Sequence, residues 1–277
     1  MRIRRYTDPQ LFLDRAQEWL LRSEMKNNQI LAITHLLVKD DHPFEPPFYL
    51  ATIESEVCIV GCAVRSPPDP LILSEVPLEA MPLLVADVAM VYEKLPEVTG
   101  MENEVRTFAE HWKRRRGCRS AIKFRWRWYA LERAVKPRKS ASGVLRLADS
   151  SDLDLVRSWA PNFARDTGTS VDVAAFFERR LQTGSLYLWD DEGPCSLVAV
   201  SGVTANSIRI SGVYTTPEFR RNGYATVAVA SVSQLMLDAG RQFCLLFADI
   251  SDPIANRLYR KIGYRPIFDK VSISLSN

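Results

Sequence analysis

The sequence has little of several features that would point to particular protein classes. It contains only three histidines and five cysteines, and no two cysteines have CxxC spacing, so neither a metal site nor a disulfide framework is expected. No apolar run approaches the ~20 residues that span a bilayer. Met1 to Tyr6 lead into an amphipathic pattern instead of an apolar secretion signal. We therefore expect a reduced, cytoplasmic protein that does not bind a membrane.

Net charge is also small: 36 Lys and Arg residues against 33 Asp and Glu residues give +3. This balance does not indicate a nucleic-acid-binding protein. The most basic stretch, 113–127, runs into an alternation that in a strand places two kinds of side chain on opposite faces. The aromatic ones are Phe124, Trp126 and Trp128, and the basic ones are Lys123, Arg125 and Arg127. We favour a half-buried strand over a single-stranded nucleic-acid site, and expect no nucleic-acid partner.

What the chain does have is the composition of a globular protein, with 277 residues of which 47% are hydrophobic and 25% charged. This length suits two domains. The clearest shift in composition lies between Lys136 and Gly143, where basic residues, Pro, Ser and Gly follow one another without a hydrophobic period. The prediction is a first domain at 1–137, a linker at 138–142 and a second domain at 143–277.

The two halves share one order of elements, so the fold class is predicted to be α/β (or α+β), with one architecture repeated in tandem. Each half is expected to form a mixed, mainly antiparallel sheet flanked by helices. In the first half, we predict strands at 2–6, 48–53, 57–65, 71–74 and 120–130 and helices near 9–37, 78–94 and 102–116. In the second half, we predict strands at 144–147, 185–189, 197–203, 207–215, 243–247 and 267–275, with helices near 152–160 and 172–182 and after the fourth and fifth strands.

The most informative segment is the turn between the predicted strand at 207–215 and the helix that follows it. Apolar residues from Ala225 to Ala239 recur at helical spacing, and Gly240 ends the pattern. A helix start has free N–H groups and the positive end of the helix dipole, so it can bind anions. Gly223 lets the backbone approach a bulky anion without a Cβ in the way. The segment predicts a diphosphate site, or else an ordinary strand–loop–helix turn with a surface arginine pair.

Two motifs in the second half resemble the GNAT N-acetyltransferase superfamily. Arg220-x-x-Gly223-x-Ala225 is similar to its acyl-CoA signature, Arg/Gln-x-x-Gly-x-Gly/Ala, and follows a strand that ends Val213-Tyr214-Thr215-x-Pro217. Downstream, Asp252-Pro253-x-x-Asn256-x-x-Tyr259-x-x-x-Gly263-Tyr264 resembles the second motif, a helix beside the pantetheine arm. The resemblance covers about 143–277, and the first half is similar to the degenerate N-terminal domain of tandem members.

Two positions depart from the superfamily pattern. Arg221 stands where many members have glycine, and Asp252 stands where asparagine is common. Neither change removes the physical requirement, because Arg221 keeps its N–H and Asp252 serves equally well as a helix N-cap before Pro253.

The resemblance implies acetyl-CoA (CoA) as the cofactor. The backbone of the turn would bind its diphosphate, and the end of the preceding strand would pair with its pantetheine arm. A backbone N–H of that strand would also polarise the acetyl carbonyl, and Asn256 would hydrogen-bond the arm. The implied cofactor-binding residues are Val213, Tyr214, Thr215, Arg220, Arg221, Asn222, Gly223, Tyr224, Ala225 and Asn256.

The implied function is an acetyl-CoA-dependent N-acetyltransferase that moves an acetyl group to a primary amine, of a small molecule or a peptide, by direct attack. Tyr259 matches the family's tyrosine and is the expected general acid for the leaving thiolate, with a core tyrosine as the alternative. Asp249, at the carboxyl end of a central strand, is the candidate base. Asp166, Glu178 or a water molecule could take the proton instead. The alternative function is a non-catalytic acyl-CoA-binding or interaction protein.

The first half lacks an equivalent turn. The segment from Glu75 to Pro82 contains no glycine and carries acidic residues and prolines, which makes it a poor phosphate site. Only the second half is expected to bind CoA.

Overall fold

The computed structural model describes residues 1–39, 42–135, 141–169 and 171–276. The chain divides into two compact units, each built from segments that are distant in sequence. The first unit comprises Met1–Trp128, Phe247–Asp252 and Ile267–Asn277, and the second comprises Tyr129–Leu246 and Pro253–Pro266. Of the predicted linker at 138–142, residues 138–140 lie outside the described residues.

The first unit begins with a strand, two helices and three strands. Its elements are β1 (Arg2–Tyr6), α1 (Pro9–Leu21), α2 (Glu24–Leu37), β2 (Tyr49–Glu54), β3 (Ile59–Arg65), β4 (Leu71–Leu73), α3 (Met81–Val91), β5 (Glu97–Gly100), α4 (Glu102–Arg116) and most of β6 (Arg119–Leu131). The neighbours from β1 to β4 are antiparallel, and β4 and β5 are parallel. Strands β2 and β4 are buried throughout and β3 nearly so, which explains their continuous apolar runs.

The second unit repeats this order. Its elements are β7 (Val144–Leu147), α5 (Leu153–Thr167), α6 (Val173–Gln182), β8 (Leu186–Asp190), β9 (Pro194–Ser201), β10 (Ser207–Thr215), α7 (Tyr224–Asp238), the start of β11 (Phe243–Asp249) and α8 (Pro253–Ile262), and the chain then runs into β12 (Arg265–Ser276). The neighbours from β7 to β10 are antiparallel, and β10 and β11 are parallel. The predicted fold class, an α/β architecture with mixed, mainly antiparallel sheets flanked by helices, is confirmed.

The last strand of the chain belongs to the first unit. Strand β12 pairs antiparallel with β5, in a register that sets Val271 opposite Gly100 and Ile273 opposite Val98. Val271, Ile273 and Leu275 are buried in the hydrophobic core of that unit. This arrangement differs from the predicted division, which assigned all of 143–277 to the second domain. The reason is that β12 completes the core beside β5.

Strand β6 shows the predicted alternation. Its aromatic rings pack on one another, with Phe124 and Trp126 4.8 Å apart between centroids. Its basic side chains pair with carboxylates instead: Arg125 makes two hydrogen bonds to Glu102, and Arg127 makes two to Asp269. These ion pairs neutralise two of the basic side chains of β6.

Helix α5 is longer than predicted. It continues past Pro161 and ends at Gly168, which adopts a left-handed conformation with φ +64°. Phe163, on the extra turns, packs edge-on against Phe177 of α6 with 5.2 Å between ring centroids. Tertiary packing therefore outweighs the helix-breaking tendency of the proline.

Candidate active site

A gap opens in the sheet of the second unit where two parallel strands part. Strands β10 and β11 pair only over Ser207–Arg209 and Phe243–Leu245. Beyond Arg209, β10 continues to Thr215 and is held there by β9 alone among the described strands. One hydrogen-bonding edge of Val213, Tyr214 and Thr215 is therefore open to a ligand. This edge lies beyond the carboxyl ends of parallel strands, which is where open sheets bind ligands.

A β-bulge marks the point where β10 changes register. The shift falls between Ser211 and Val213, and Gly212 within it has φ +62°. A Cβ at this position would lie 2.7 Å from Cε1 of Phe177 and 3.3 Å from Cε1 of Phe176. Glycine is required here both by the backbone conformation and by the close approach of α6.

The turn before α7 forms a cradle of backbone N–H groups, which we define as residues 221–225. Arg221 has φ +69° and Gly223, the N-cap of α7, has φ +91°. Within the described part of the chain, no acceptor takes the N–H groups of these five residues. Apart from its chain neighbours, no heavy atom of the described residues lies within 4 Å of the place where a Cβ on Gly223 would stand. The cradle thus faces open space with its donors unused, at the positive end of a 15-residue helix.

Arg220 holds the loop in place instead of standing beside the cradle as a free charge. Its Nε donates to the backbone carbonyl of Thr215 at 3.1 Å, and its guanidinium pairs with Asp166 of α5. The same guanidinium lies over the ring of Tyr214, 5.9 Å from the centroid. Asp166, a candidate base in the sequence analysis, is thereby committed to an ion pair.

Tyr224 joins the start of α7 to the β8–β9 hairpin. Its hydroxyl donates to Asp191 at the hairpin tip, and the hydroxyl of Ser142 donates to the same carboxylate oxygen. These hydrogen bonds, that from Ser142 first, lower the pKa of Asp191. Sequence reasoning missed both Ser142 and Asp191, because their only local signal was a polar turn and a polar linker.

Helix α8 carries the two candidate site residues of the second motif, Asn256 and Tyr259. Asn256 accepts a hydrogen bond at its Oδ1 from the hydroxyl of Tyr129, at 2.6 Å. Tyr259 is buried, with its ring 6.2 Å from that of Tyr129 and 6.1 Å from that of Tyr264 between centroids. The ring of Tyr259 is therefore part of an aromatic cluster, while Asn256 is positioned by a residue that the sequence analysis did not single out.

The remaining candidate carboxylates have other partners. Glu178 accepts two hydrogen bonds from Arg157, at 2.7 and 3.2 Å, and this pairing lowers the pKa of Glu178. Asp249 lies at the end of β11, in a segment of the first unit. One of its carboxylate oxygens accepts from the backbone N–H and the hydroxyl of Ser251, at 2.7 and 2.6 Å.

The start of α3 in the first unit offers no comparable cradle. Ala80 and Met81 are buried, and Pro82 has no N–H to donate. The N–H of Ala80 is already taken by the carbonyl of Pro77, at 2.9 Å. The described residues also contain no cluster of three or more metal-ligating side chains and no helix long and apolar enough to cross a bilayer.

Comparison with known proteins supports the resemblance seen in the sequence. Residues 196–273 match the family model described as FR47-like protein. Among proteins with curated annotation, none matches the chain by sequence.

Several solved structures share the fold over nearly the whole chain. A Drosophila protein has a TM-score of 0.70 at 12% identity and covers 99% of this chain and 98% of its own. A GNAT-family acetyltransferase from Colwellia psychrerythraea has a TM-score of 0.58 at 9% identity, with 100% of both chains covered. A tandem GNAT protein from the clavulanic acid biosynthesis pathway has a TM-score of 0.52 at 11% identity, covering 92% of this chain and 95% of its own.

Proposed function

We propose that the second unit of this chain, which has the GNAT fold, is an acetyl-CoA-dependent N-acetyltransferase. The observation that carries this proposal is the cradle at 221–225, whose donors are unused and face open space. The FR47-like match spans the cradle, the parting strands and α8.

The cradle fits the diphosphate of CoA. Five successive N–H groups can surround a phosphate, and the helix dipole favours its negative charge. Gly223 admits a close approach because nothing occupies the space before it. Arg221 is exposed and can add a charge-assisted hydrogen bond, whereas Arg220 positions the loop through Thr215 and Asp166.

The open edge of β10 fits the pantetheine arm, which carries amide groups that can pair as a strand does. Val213, Tyr214 and Thr215 would supply this pairing, and one of their N–H groups would stabilise negative charge on the acetyl oxygen. Asn256, which accepts a hydrogen bond from Tyr129, would also hydrogen-bond the arm through its side-chain amide. Bound acetyl-CoA supplies an activated acetyl group as a thioester.

Proton transfers are the work left for side chains. The amine nitrogen forms a bond to the acetyl carbon and the carbon–sulfur bond breaks, so one proton leaves the nitrogen and one reaches the sulfur. We assign the donor to the hydroxyl of Tyr259 on α8. A water molecule takes the amine proton. Asp166 and Glu178 are poorer bases, since each is bound to an arginine.

The first unit would not bind the cofactor, because the start of its α3 is buried and includes a proline. The acceptor would be a small-molecule or peptide amine. Neither nucleic acid nor membrane is proposed as a partner.

The decisive experiment compares two glycines at opposite ends of α7. Gly223 and Gly240 have φ values of +91° and +92°, and in the described structure an added Cβ at either would meet no heavy atom within 4 Å besides those of its chain neighbours. Gly223→Asp and Gly240→Asp therefore impose the same backbone strain, but only the first places a carboxylate in the cradle. Calorimetry should show acetyl-CoA affinity falling by about 100-fold or more in Gly223→Asp and remaining near wild type in Gly240→Asp.

Equal affinities in the two variants, or no binding by the wild type, would overturn the proposal. Binding of acetyl-CoA without thiol release on any amine would favour the non-catalytic acyl-CoA-binding protein.

A further inference from the structure

Arg180, on α6, is a half-buried arginine without a carboxylate partner among the described residues. Its Nε is fully buried and makes no hydrogen bond. Three other arginines of the second unit are paired: Arg146 with Asp152, Arg157 with Glu178 and Arg220 with Asp166. Burial lowers the pKa of Arg180. The desolvation of its guanidinium therefore costs free energy, and no carboxylate of the described residues offsets that cost.

The guanidinium of Arg180 lies over the ring of Phe176, with its central carbon 4.9 Å from the ring centroid. This cation–π contact orients the planar group. It leaves the buried Nε without an acceptor, because a ring face accepts no in-plane hydrogen bond. The side chain is therefore fixed in direction and still has donors to offer.

Phe176 in turn lies against the bulge of β10. An added Cβ on Gly212 would stand 3.3 Å from Cε1 of Phe176. Gly212 immediately precedes Val213, where the open edge of β10 begins. Arg180 is thus one aromatic ring away from the strand edge at which acetyl transfer is proposed. Phe176 itself is only half-buried, so a ligand can reach this side of α6.

We propose that Arg180 binds the carboxylate of the acceptor, so that the substrate of this site is an amine that also carries a carboxylate. The inference rests on the proposed function and names its acceptor class. A guanidinium presents a planar fork of donors that matches the two oxygens of a carboxylate. The bound carboxylate would satisfy Arg180 and direct the amine toward the end of β10.

The test uses matched pairs of amines in acetyl-CoA turnover by the full chain. Each standard amino acid with a primary amine is compared with its α-amide, which keeps the amine and the side chain but lacks the α-carboxylate. In the wild type, kcat/KM for at least one acid should exceed that for its amide by about tenfold or more, as expected for a charge-assisted hydrogen bond.

Arg180→Gln should reduce that preference to within about twofold, chiefly by raising KM for the acid, while the affinity for acetyl-CoA stays unchanged. Arg180→Lys keeps the charge without the fork and should retain part of the preference. The control is Arg179→Gln, which removes the same charge from the neighbouring position of α6 and should keep the full preference.

The outcomes separate this inference from the function on which it rests. Loss of acetyl-CoA binding in the wild type would overturn the proposed function. Three results with normal acetyl-CoA binding would overturn only the role of Arg180. They are equal use of acids and amides, a preference for amides, and acetylation of none of the acids. An equal loss of preference in Arg179→Gln and Arg180→Gln would do the same, since it would indicate general charge instead of a specific contact.

Discussion

At the scale of single residues, the structure separates side chains that touch the proposed ligands from those that hold others in place. Arg220 and Tyr224 both stand in the acyl-CoA motif, yet their side chains bind Asp166 and Asp191. The donors left for a ligand are the backbone N–H groups of the cradle and the exposed side chain of Arg221. This explains how the motif tolerates Arg221 where many members have glycine: its left-handed backbone, at φ +69°, costs about 1–2 kcal/mol but keeps the N–H available.

Tyr259 and Tyr264 form a matched pair for testing the general acid. Tyr259→Phe should lower kcat by roughly 100-fold, because the leaving sulfur loses its proton donor, with acetyl-CoA affinity unchanged. Tyr264→Phe also removes a buried hydroxyl, one that bonds Ser233 at 2.8 Å. That variant should lose about 1 kcal/mol of stability and keep its kcat. Steady-state kinetics with thiol detection measure kcat, and thermal melts measure stability. Similar kcat values in the two variants would show that Tyr259 is not the general acid.

Much of the cradle could be predicted from the sequence because its signal is local. The glycine, the flanking strand and the helix stripe lie within 35 residues of one another, so one segment specifies both shape and charge. The hydrogen bonds from Ser142 and Tyr224 to Asp191 could not be predicted, since they join residues 49 and 33 positions apart. Arg180 could not be predicted for the same reason. Its importance depends on the lack of a carboxylate partner among the described residues, which only the folded chain shows.

At the scale of elements, the bulge in β10 is the feature on which the site depends. It shifts the pairing register between β10 and β9, and its Gly212 lies close to Phe177 of α6. Periodicity alone predicted a continuous strand at 207–215, because a bulge of one residue leaves the apolar pattern nearly intact. Likewise, the pattern ended α5 near Pro161, while the contact between Phe163 and Phe177 carries the helix further.

Gly212 and Gly184 distinguish backbone strain from steric contact at the bulge. Their φ values are +62° and +60°, but an added Cβ meets Phe177 at 2.7 Å only at Gly212. Gly184→Ala should lower the free energy of unfolding by about 1–2 kcal/mol, because alanine is strained in the left-handed conformation. Gly212→Ala should cost about 3 kcal/mol or more and also reduce acetyl transfer. Denaturant unfolding curves would measure the difference. Equal losses of unfolding free energy in the two variants would show that α6 moves aside without a further cost.

At the scale of the whole molecule, the two units repeat one order of elements, and each draws on distant parts of the chain. The sequence predicted the repeat because strand and helix periods are local. It did not predict that β12 lies beside β5, since alternation shows that a strand has a buried face but does not identify its neighbour. Val271, Ile273 and Leu275 are as apolar as any second-unit strand would require.

Removal of residues 267–277 should therefore destabilise the first unit. The shortened chain exposes β5 and the core face of α4, which holds Trp112 and Phe108. Hydrogen exchange should show lost protection in β4, β5 and α4, with β8 and β9 protected much as in the full chain. Replacing Ser276 alone, which is exposed, provides a control at the same end. Uniform loss of protection across both units would contradict this assignment.

The position of β12 also determines how late in synthesis the sheet of the first unit can be completed. Thr99 and Val271, which share a hydrogen bond, are 172 positions apart. Ribosomes extend chains at roughly 5–20 residues per second, so β5 waits on the order of 10–30 s for its partner strand to be translated. Through that interval the nascent first unit keeps an unfilled strand position on its sheet, and a chaperone that shields it would raise the yield of native protein.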